Sequence, residues 1–179
     1  LGLQRDLEIC VMDERGTGNG WLLPAGPLRE PWPRQVDLLL YTDGQARPGA
    51  FAAQRALTAQ ATNGKGETRA LSDFMNTPVD ALAALARPEA FFAMLRAQGL
   101  TLAETHALPD HDRLDGWVPA PTGRPLLCTE KDAVKLWRHQ PEAWAVPLQF
   151  NVSEGFWQAI DGWLERRGLR PSTRPNNVA

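Results

Sequence analysis

"LEICVMDERGTGNGWLLPAGPLREPWPR", residues 7–34, is the stretch from which this chain can be read. Its first part, 7–13, is a short apolar run rich in strand formers and reads as a buried strand. Gly16, Gly18 and Gly20 break that run. From 18 to 34, glycines and prolines recur too often for a long helix or a strand. The part 22–30 can accommodate one short helical turn. In open α/β sheets, ligands bind beyond the carboxyl ends of strands, and 14–34 leaves such an end. Its residue types suit an anion. Glycines let backbone N–H groups approach closely, and Arg29 is a fork-shaped donor for phosphate. Glu30 is of the right type to ligate Mg²⁺, directly or through water. Prolines lower the entropy lost on ordering the loop. The competing reading is a surface loop whose Arg29 and Glu30 are solvated.

Working outward, strands and helices alternate. Residues 36–43 read as a second buried strand, stopped at Asp43-Gly44. The Ala- and Gln-rich segment 50–62 fits either a short helix or an extended segment. Residues 62–73 are polar, with two glycines, and read as a turn or linker. Residues 79–86 fit a strand, although their alanines suit a helix equally. Pro88 then stands at a helix N1 position, with Phe91, Phe92 and Leu95 on one face and Gly99 as the cap. Residues 100–108 alternate and read as a strand ending at Pro109. Residues 125–129 read as a strand, and 130–138 as a helix capped by Thr129, with acids in its first turn. Residues 143–150 read as one strand. Residues 154–168 read as an amphipathic helix with Phe156, Ile160, Trp163 and Leu164 inward. The tail 169–179 reads as disordered. This alternation predicts an α/β fold with a largely parallel sheet.

Composition sets the frame. The chain has 179 residues, is 43% hydrophobic and 22% charged, and suits one large or two small globular domains. A net charge of −2 gives no argument for nucleic acid. Cys10 and Cys128 lie far apart inside apolar runs and read as buried free thiols. No apolar run approaches the ~20 residues that span a bilayer. The chain opens on strand residues without an initiator Met or a signal-peptide pattern, so it is expected to be cut from something longer.

Several segments together carry a resemblance. "GNGWLLPAGPLREP" (18–31) resembles the signature of the tetraacyldisaccharide 4'-kinases, the lipid A kinases of Gram-negative bacteria. "RDLEICVMDERGTGNG", "ALARPEAFFAMLRAQGL", "LPDHD" and "LLCTEKDAVKL" resemble further segments of that family, in the family's order and over nearly all of 1–165. The resemblance implies part of a P-loop NTPase-type parallel sheet over 1–61, a hinge at 62–77 and a smaller α/β domain at 78–168. It implies transfer of the ATP γ-phosphate to the 4'-hydroxyl of a tetraacylated disaccharide 1-phosphate, with Mg²⁺. It implies a peripheral location at the cytoplasmic face of the bacterial inner membrane, through an N-terminal region that this sequence does not contain.

The family's P-loop is also absent from this sequence. The only Gly-Lys pair, Gly64-Lys65, is followed by Gly66 and fits no G-x-x-x-x-G-K-[ST] pattern. The chain therefore resembles roughly the C-terminal half of the enzyme. Carried over residue by residue, His111 resembles the histidine that pairs with a catalytic aspartate of the family, with Asp110 beside it. Arg29 and Glu30 resemble its Arg-Glu pair at the nucleotide and Mg²⁺ end. Asn19 and Lys131 are candidate substrate contacts, although Lys131 equally suits a solvated helix face. Asp112 stands where the family often has a second histidine or another residue. His106 and His139 match no motif and read as structural or solvent-facing. Two other readings stand beside the kinase: a binding module without catalysis, and one chain of a split kinase.

Overall fold

A computed structural model describes residues 5–42, 44–45 and 47–169. In chain order the strands are β1 (Ile9–Met12), β2 (Leu38–Tyr41), β3 (Phe51–Leu57), β4 (Gln60–Asn63), β5 (Thr68–Ala70) and β6 (Val79–Ala83). They continue with β7 (Leu102–Ala107), β8 (Leu126–Cys128), β9 (Trp144–Ala145) and β10 (Leu148–Val152). The helices are α1 (Pro88–Ala97), α2 (Glu130–Leu136) and α3 (Glu154–Arg166). Two compact units result: one joins the chain up to Arg55 with Phe150 onward, and the other is Ala56–Gln149.

The first unit is built on a four-stranded sheet of order β1-β2-β3-β10. β1 and β2 run parallel with Ile9 opposite Leu38, and β3 continues the parallel set through Leu40 and Phe51. Leu40, Ala53 and Phe156 form its buried core, and the Phe51 and Phe156 rings meet edge to face at 5.5 Å. Of the four residues expected to point inward from α3, only Phe156 is fully buried. Ile160, Trp163 and Leu164 are half-buried, so the helix seats mainly through its first turns.

The second unit has a six-stranded sheet of order β5-β4-β9-β8-β6-β7. Strands β7, β6, β8 and β9 are parallel, while β4 and β5 extend the sheet antiparallel. All five residues of β6 are buried. A parallel strand covered on both faces is largely apolar, and here four of the five residues are, with Asp80 the paired exception; that burial overrides the helix preference of the alanines. α1 lays Phe91, Phe92 and Leu95 into the core with Phe74, Val79 and Leu127.

The ambiguous segment 50–62 is extended, giving β3 and the start of β4. The single strand expected over 143–150 is two strands in different sheets, separated by Val146-Pro147. The Val146 N–H donates to the Cys128 carbonyl, and Pro147 has no N–H to continue a ladder. The segment 62–77, expected as a hinge, folds as the β4–β5 hairpin and a 3-10 turn at Leu71–Phe74. Buried Asn63 organises that hairpin: its side-chain oxygen accepts from the Lys65 and Glu67 N–H groups, both at 3.0 Å. A Cβ on Gly64 would stand 2.8 Å from the Trp137 ring, so close packing accounts for this glycine. The chain passes between the units at β3 and β10 instead, and α3 belongs to the first unit rather than to the second domain. The expected tail lies almost wholly outside the described residues, as does Asp43.

α2 is fixed by a buried carboxylate. The Thr129 hydroxyl accepts from the Asp132 N–H at 3.3 Å, as expected of an N-cap. Asp132 is fully buried, and its Oδ2 accepts from the Thr129 hydroxyl at 2.7 Å and from the Ala84 N–H at 2.9 Å. Replacing Asp132 by Ala strands the buried Ala84 donor. Asp132→Ala should therefore lower stability by about 2–4 kcal/mol, read from urea denaturation of the chain.

Candidate active site

In the first unit the site begins where β1 ends. Successive turns carry the chain away, with Gly16, Gly18 and Gly20 N–H groups donating to the carbonyls of Asp13, Arg15 and Thr17 at 3.0, 2.9 and 2.9 Å. The loop then folds back on itself. Leu23 N–H donates to Leu28 O at 2.9 Å, and Leu28 N–H to Trp21 O at 3.1 Å. Asn19 braces this fold. Its Nδ2 donates to Ala25 O at 2.9 Å and its Oδ1 accepts from Trp21 N–H at 3.1 Å. A Cβ on Gly26 would come within 2.2 Å of the Asn19 oxygen, so the backbone must be bare there. No helix forms in 22–30; one turn is closed by the Gly26 N–H bond to Leu22 O at 3.0 Å, and internal bonds hold the rest of the loop.

The loop borders an open cleft of about 630 Å³ along β1. Arg15, Arg29, Arg34 and Arg55 line it, with Asp13 and Glu30. Three of these arginines are engaged. Arg15 Nε bonds Asp13 at 2.8 Å, and Arg55 lies 5.6 Å over the Phe150 ring. Arg34 chelates Glu8 through both terminal nitrogens, at 2.6 and 2.7 Å, and reaches Glu30 at 3.1 Å. The Arg34 hydrogen bonds hold the Glu8 carboxyl below its ordinary range, and Arg15 does the same to Asp13. Arg29 has no acidic partner among the described residues. Its guanidinium fork is of the type that binds an anion, and the cleft volume lies in the range of small-molecule pockets.

Glu30, a candidate Mg²⁺ ligand by sequence, is ion-paired in this structure. It is the acidic partner of Arg34 and, at 3.7 Å, of Arg5. Among the described residues no group of three His, Cys, Asp or Glu is placed to hold a metal ion. Among the described residues, Glu30 would therefore reach a Mg²⁺ ion only together with ligands from elsewhere, such as nucleotide phosphates and water.

In the second unit, Asp110 and His111 follow the carboxyl end of β7, and Lys131 opens α2 after the carboxyl end of β8. The structure brings these three together. Lys131 Nζ donates to Asp110 Oδ1 at 2.9 Å, and His111 Nε2 lies 3.8 Å from Asp110 Oδ2. The His111 side chain is 79% exposed. An exposed imidazole backed by a carboxylate can take or give a proton. Lys131, a candidate substrate contact by sequence, spends its ammonium on Asp110.

Sequence reasoning missed three participants and one buried network. Arg34 lies outside the Pro-Ala-Gly-Pro-Leu-Arg-Glu run, yet it holds Glu30. Lys135 and His139 reach the His111 loop from α2 and the turn after it. Asp80, 3% exposed, joins Arg124 Nε at 2.8 Å near the start of β6, and Arg124 continues to Glu104 at 2.6 Å. That network ties strands at the end of the sheet opposite His111. The Cys128 thiol is buried and pushed far up by desolvation, in keeping with an inert core residue.

The crystal structure of LpxK from Aquifex aeolicus in complex with ATP superposes with a TM-score of 0.71 at 24% identity, over 91% of this chain and 53% of that one. This chain thus shares the α/β fold of the matching part of that structure. The family model for tetraacyldisaccharide-1-P 4'-kinase, LpxK, matches residues 1–165. The tetraacyldisaccharide 4'-kinase of Verminephrobacter eiseniae is 51% identical over all of this chain and 43% of its own length. That of Acidovorax sp. is 51% identical over 92% of this chain and 49% of its own. The chain belongs to the tetraacyldisaccharide 4'-kinase family, and it spans about half the length of these relatives.

The Lys131 hydrogen bond and, secondarily, the His111 charge hold the Asp110 carboxyl below its ordinary value. The contact is therefore complete above the ordinary carboxylate range, about 3.9, and is lost as pH falls through the depressed value. Lys131→Met should move the Asp110 titration up toward that ordinary range in a carboxyl NMR titration. An unchanged Asp110 titration would mean that the ion pair does not form in solution.

Proposed function

We propose that this chain is the C-terminal part of a kinase that transfers the γ-phosphate of ATP to the 4'-hydroxyl of tetraacyldisaccharide 1-phosphate in lipid A biosynthesis. The observation that carries the reading is His111, exposed and backed by Asp110 at the carboxyl ends of parallel strands, in a chain matched over 1–165 by this kinase family. Transfer between two oxygens needs positioning, charge neutralisation and a base at the acceptor hydroxyl. His111 supplies the base or charges its partner, an aspartate outside this sequence by family resemblance. Arg29 takes a phosphate of the nucleotide, and Arg34 fixes Glu30 beside it. Mg²⁺ enters this reading with the nucleotide phosphates, which hold it with its waters.

The acceptor's acyl chains favour work at a membrane surface, and the cytoplasmic face of the inner membrane is the proposed location. No helix among the described residues is long and apolar enough to cross a membrane. The cradle for the β- and γ-phosphates lies outside this sequence in this reading.

The 179-residue chain by itself should transfer no label from γ-³²P-ATP to the disaccharide, because it has no P-loop lysine or phosphate-cradling loop. Labelled lipid formed by the purified chain would overturn that expectation. In the full-length polypeptide, His111→Ala should lower kcat by about 10²–10⁴-fold. KM for the acceptor should move far less, since the imidazole acts mainly in the transition state. Turnover that rises with pH marks a neutral imidazole base, and turnover that falls marks an imidazolium supporting the aspartate. Near-normal turnover of His111→Ala would remove the histidine from catalysis.

A further inference from the structure

We propose that Lys135 and His139 are positioning residues for His111: they hold the backbone of the loop that carries the imidazole, while Lys131 holds the Asp110 side chain beside it. The proposal rests on the reading of His111 as the proton-handling group. The three residues recur every four positions, 131, 135 and 139, so α2 and its following turn present them along one side. Each meets the 109–117 loop at a different point. Lys131 Nζ donates to the Asp110 carboxylate at 2.9 Å. Lys135 Nζ donates to the Asp112 carbonyl. His139 Nε2 lies 3.1 Å from the Trp117 carbonyl. A carbonyl only accepts, so His139 carries a proton on Nε2. The two ammonium groups thus hold the residues on either side of His111.

The loop needs such restraint. His111 and Leu114 both adopt left-handed backbone conformations, with φ of 64° and 59°. That region disfavours side chains with a Cβ, and it persists where surroundings enforce it. The bonds inside the loop are few: Asp112 N–H to Pro109 O at 3.1 Å, Leu114 N–H to Asp112 Oδ1 at 2.8 Å, and Trp117 N–H to Leu114 O at 3.2 Å. Leu114 is buried beside Ala133 and Leu136 of α2 and anchors the far side. His111 has no such burial. Its own side chain is exposed, so its position is set through its neighbours' backbone and through Asp110. Lys135 is half-buried rather than solvated, as a residue with a fixed acceptor should be. The restraint matters to phosphoryl transfer because an error of about 1 Å in a reacting group costs up to about 10²-fold in rate.

The test is a mutant cycle in the full-length polypeptide. Lys135→Met keeps the apolar stem and removes the donor. It should lower kcat by about 10–100-fold and leave KM for ATP within about twofold. Lys135→Arg, which keeps a donor, should stay within about threefold of the parent. His139→Leu should lower kcat in the same direction and serves if Lys135→Met fails to fold. In a His111→Ala background, Lys135→Met should cause no further loss, because its effect runs through the missing imidazole. Amide hydrogen exchange of residues 111–117 should quicken in Lys135→Met and not in His111→Ala. Normal kcat in both Lys135→Met and His139→Leu overturns the proposal. So does an equal additional loss in the His111→Ala background, which marks a merely structural role. Full turnover of His111→Ala with quickened exchange in Lys135→Met is a different failure: it sinks the catalytic reading of His111 and leaves the clamp without a catalytic purpose.

Discussion

The buried carboxylate of Asp132 is the constraint on which the second unit's site depends. It is the fourth residue of a cap: Thr129 accepts from its N–H while its own Oδ2 takes the Thr129 hydroxyl and the Ala84 N–H. Ala84 follows β6 and Thr129 follows β8, and these strands are neighbours. One side chain therefore sets the start of α2 against the carboxyl end of the adjacent strand. Everything that α2 offers the His111 loop follows from that setting. Asp132 Oδ1 has no hydrogen-bond partner among the described residues, so the carboxylate is held by contacts to one of its two oxygens. Burying a carboxylate is costly unless it is hydrogen-bonded, so the two bonds to Oδ2 are what the placement of α2 supplies.

The first unit solves a similar problem with a different device. The loop after β1 has neither helix nor sheet to fix it, and it carries its own restraints: three glycine turns, a pair of backbone bonds between 21–23 and 28, and the Asn19 carboxamide. Arg34 adds charge order by binding Glu8 and Glu30 together. The result is a braced rim on which Arg29 has no acidic partner among the described residues. Abundant glycine and proline here serve a defined conformation, since bare backbone permits the close approach of Gly26 to Asn19 and proline removes alternatives from the unfolded chain.

The family was legible because it resides in local runs. The segment from Pro24 to Glu30 and the segment from Thr129 to Asp132 are contiguous, and a contiguous pattern survives in a sequence without any knowledge of contacts. The strongest elements were legible for the same reason. Pro88, the Phe91-Phe92-Leu95 face and Gly99 mark α1 within a dozen residues. By contrast, the 50–62 segment gave no decision between helix and strand. Its alanines are indifferent, and the choice is made by pairing with β2 and with β9, the latter far away in sequence. The strand expected over 143–150 split for an equally non-local reason: its two halves find partners in different sheets.

What the sequence determined by itself is therefore chemistry and local geometry: an imidazole between two aspartates at 110–112, an Arg-Glu pair in a proline-fixed loop, a capped helix at 129–136. What only the tertiary structure decided is who holds whom. Asn19 and Lys131 were read as candidate ligand contacts, and Glu30 as a metal ligand. In the folded chain Asn19 braces Ala25 and Trp21, Lys131 pairs with Asp110, and Glu30 pairs with Arg34. Lys135 sits in the Thr-Glu-Lys-Asp-Ala-Val-Lys run without an assigned role and His139 matches no motif, yet they meet the loop on either side of Leu114. The physical reason is one of range. A motif records which groups are present, whereas the partner of a charged side chain depends on a few ångströms of placement set by sheet order and helix packing, and those are properties of the whole fold.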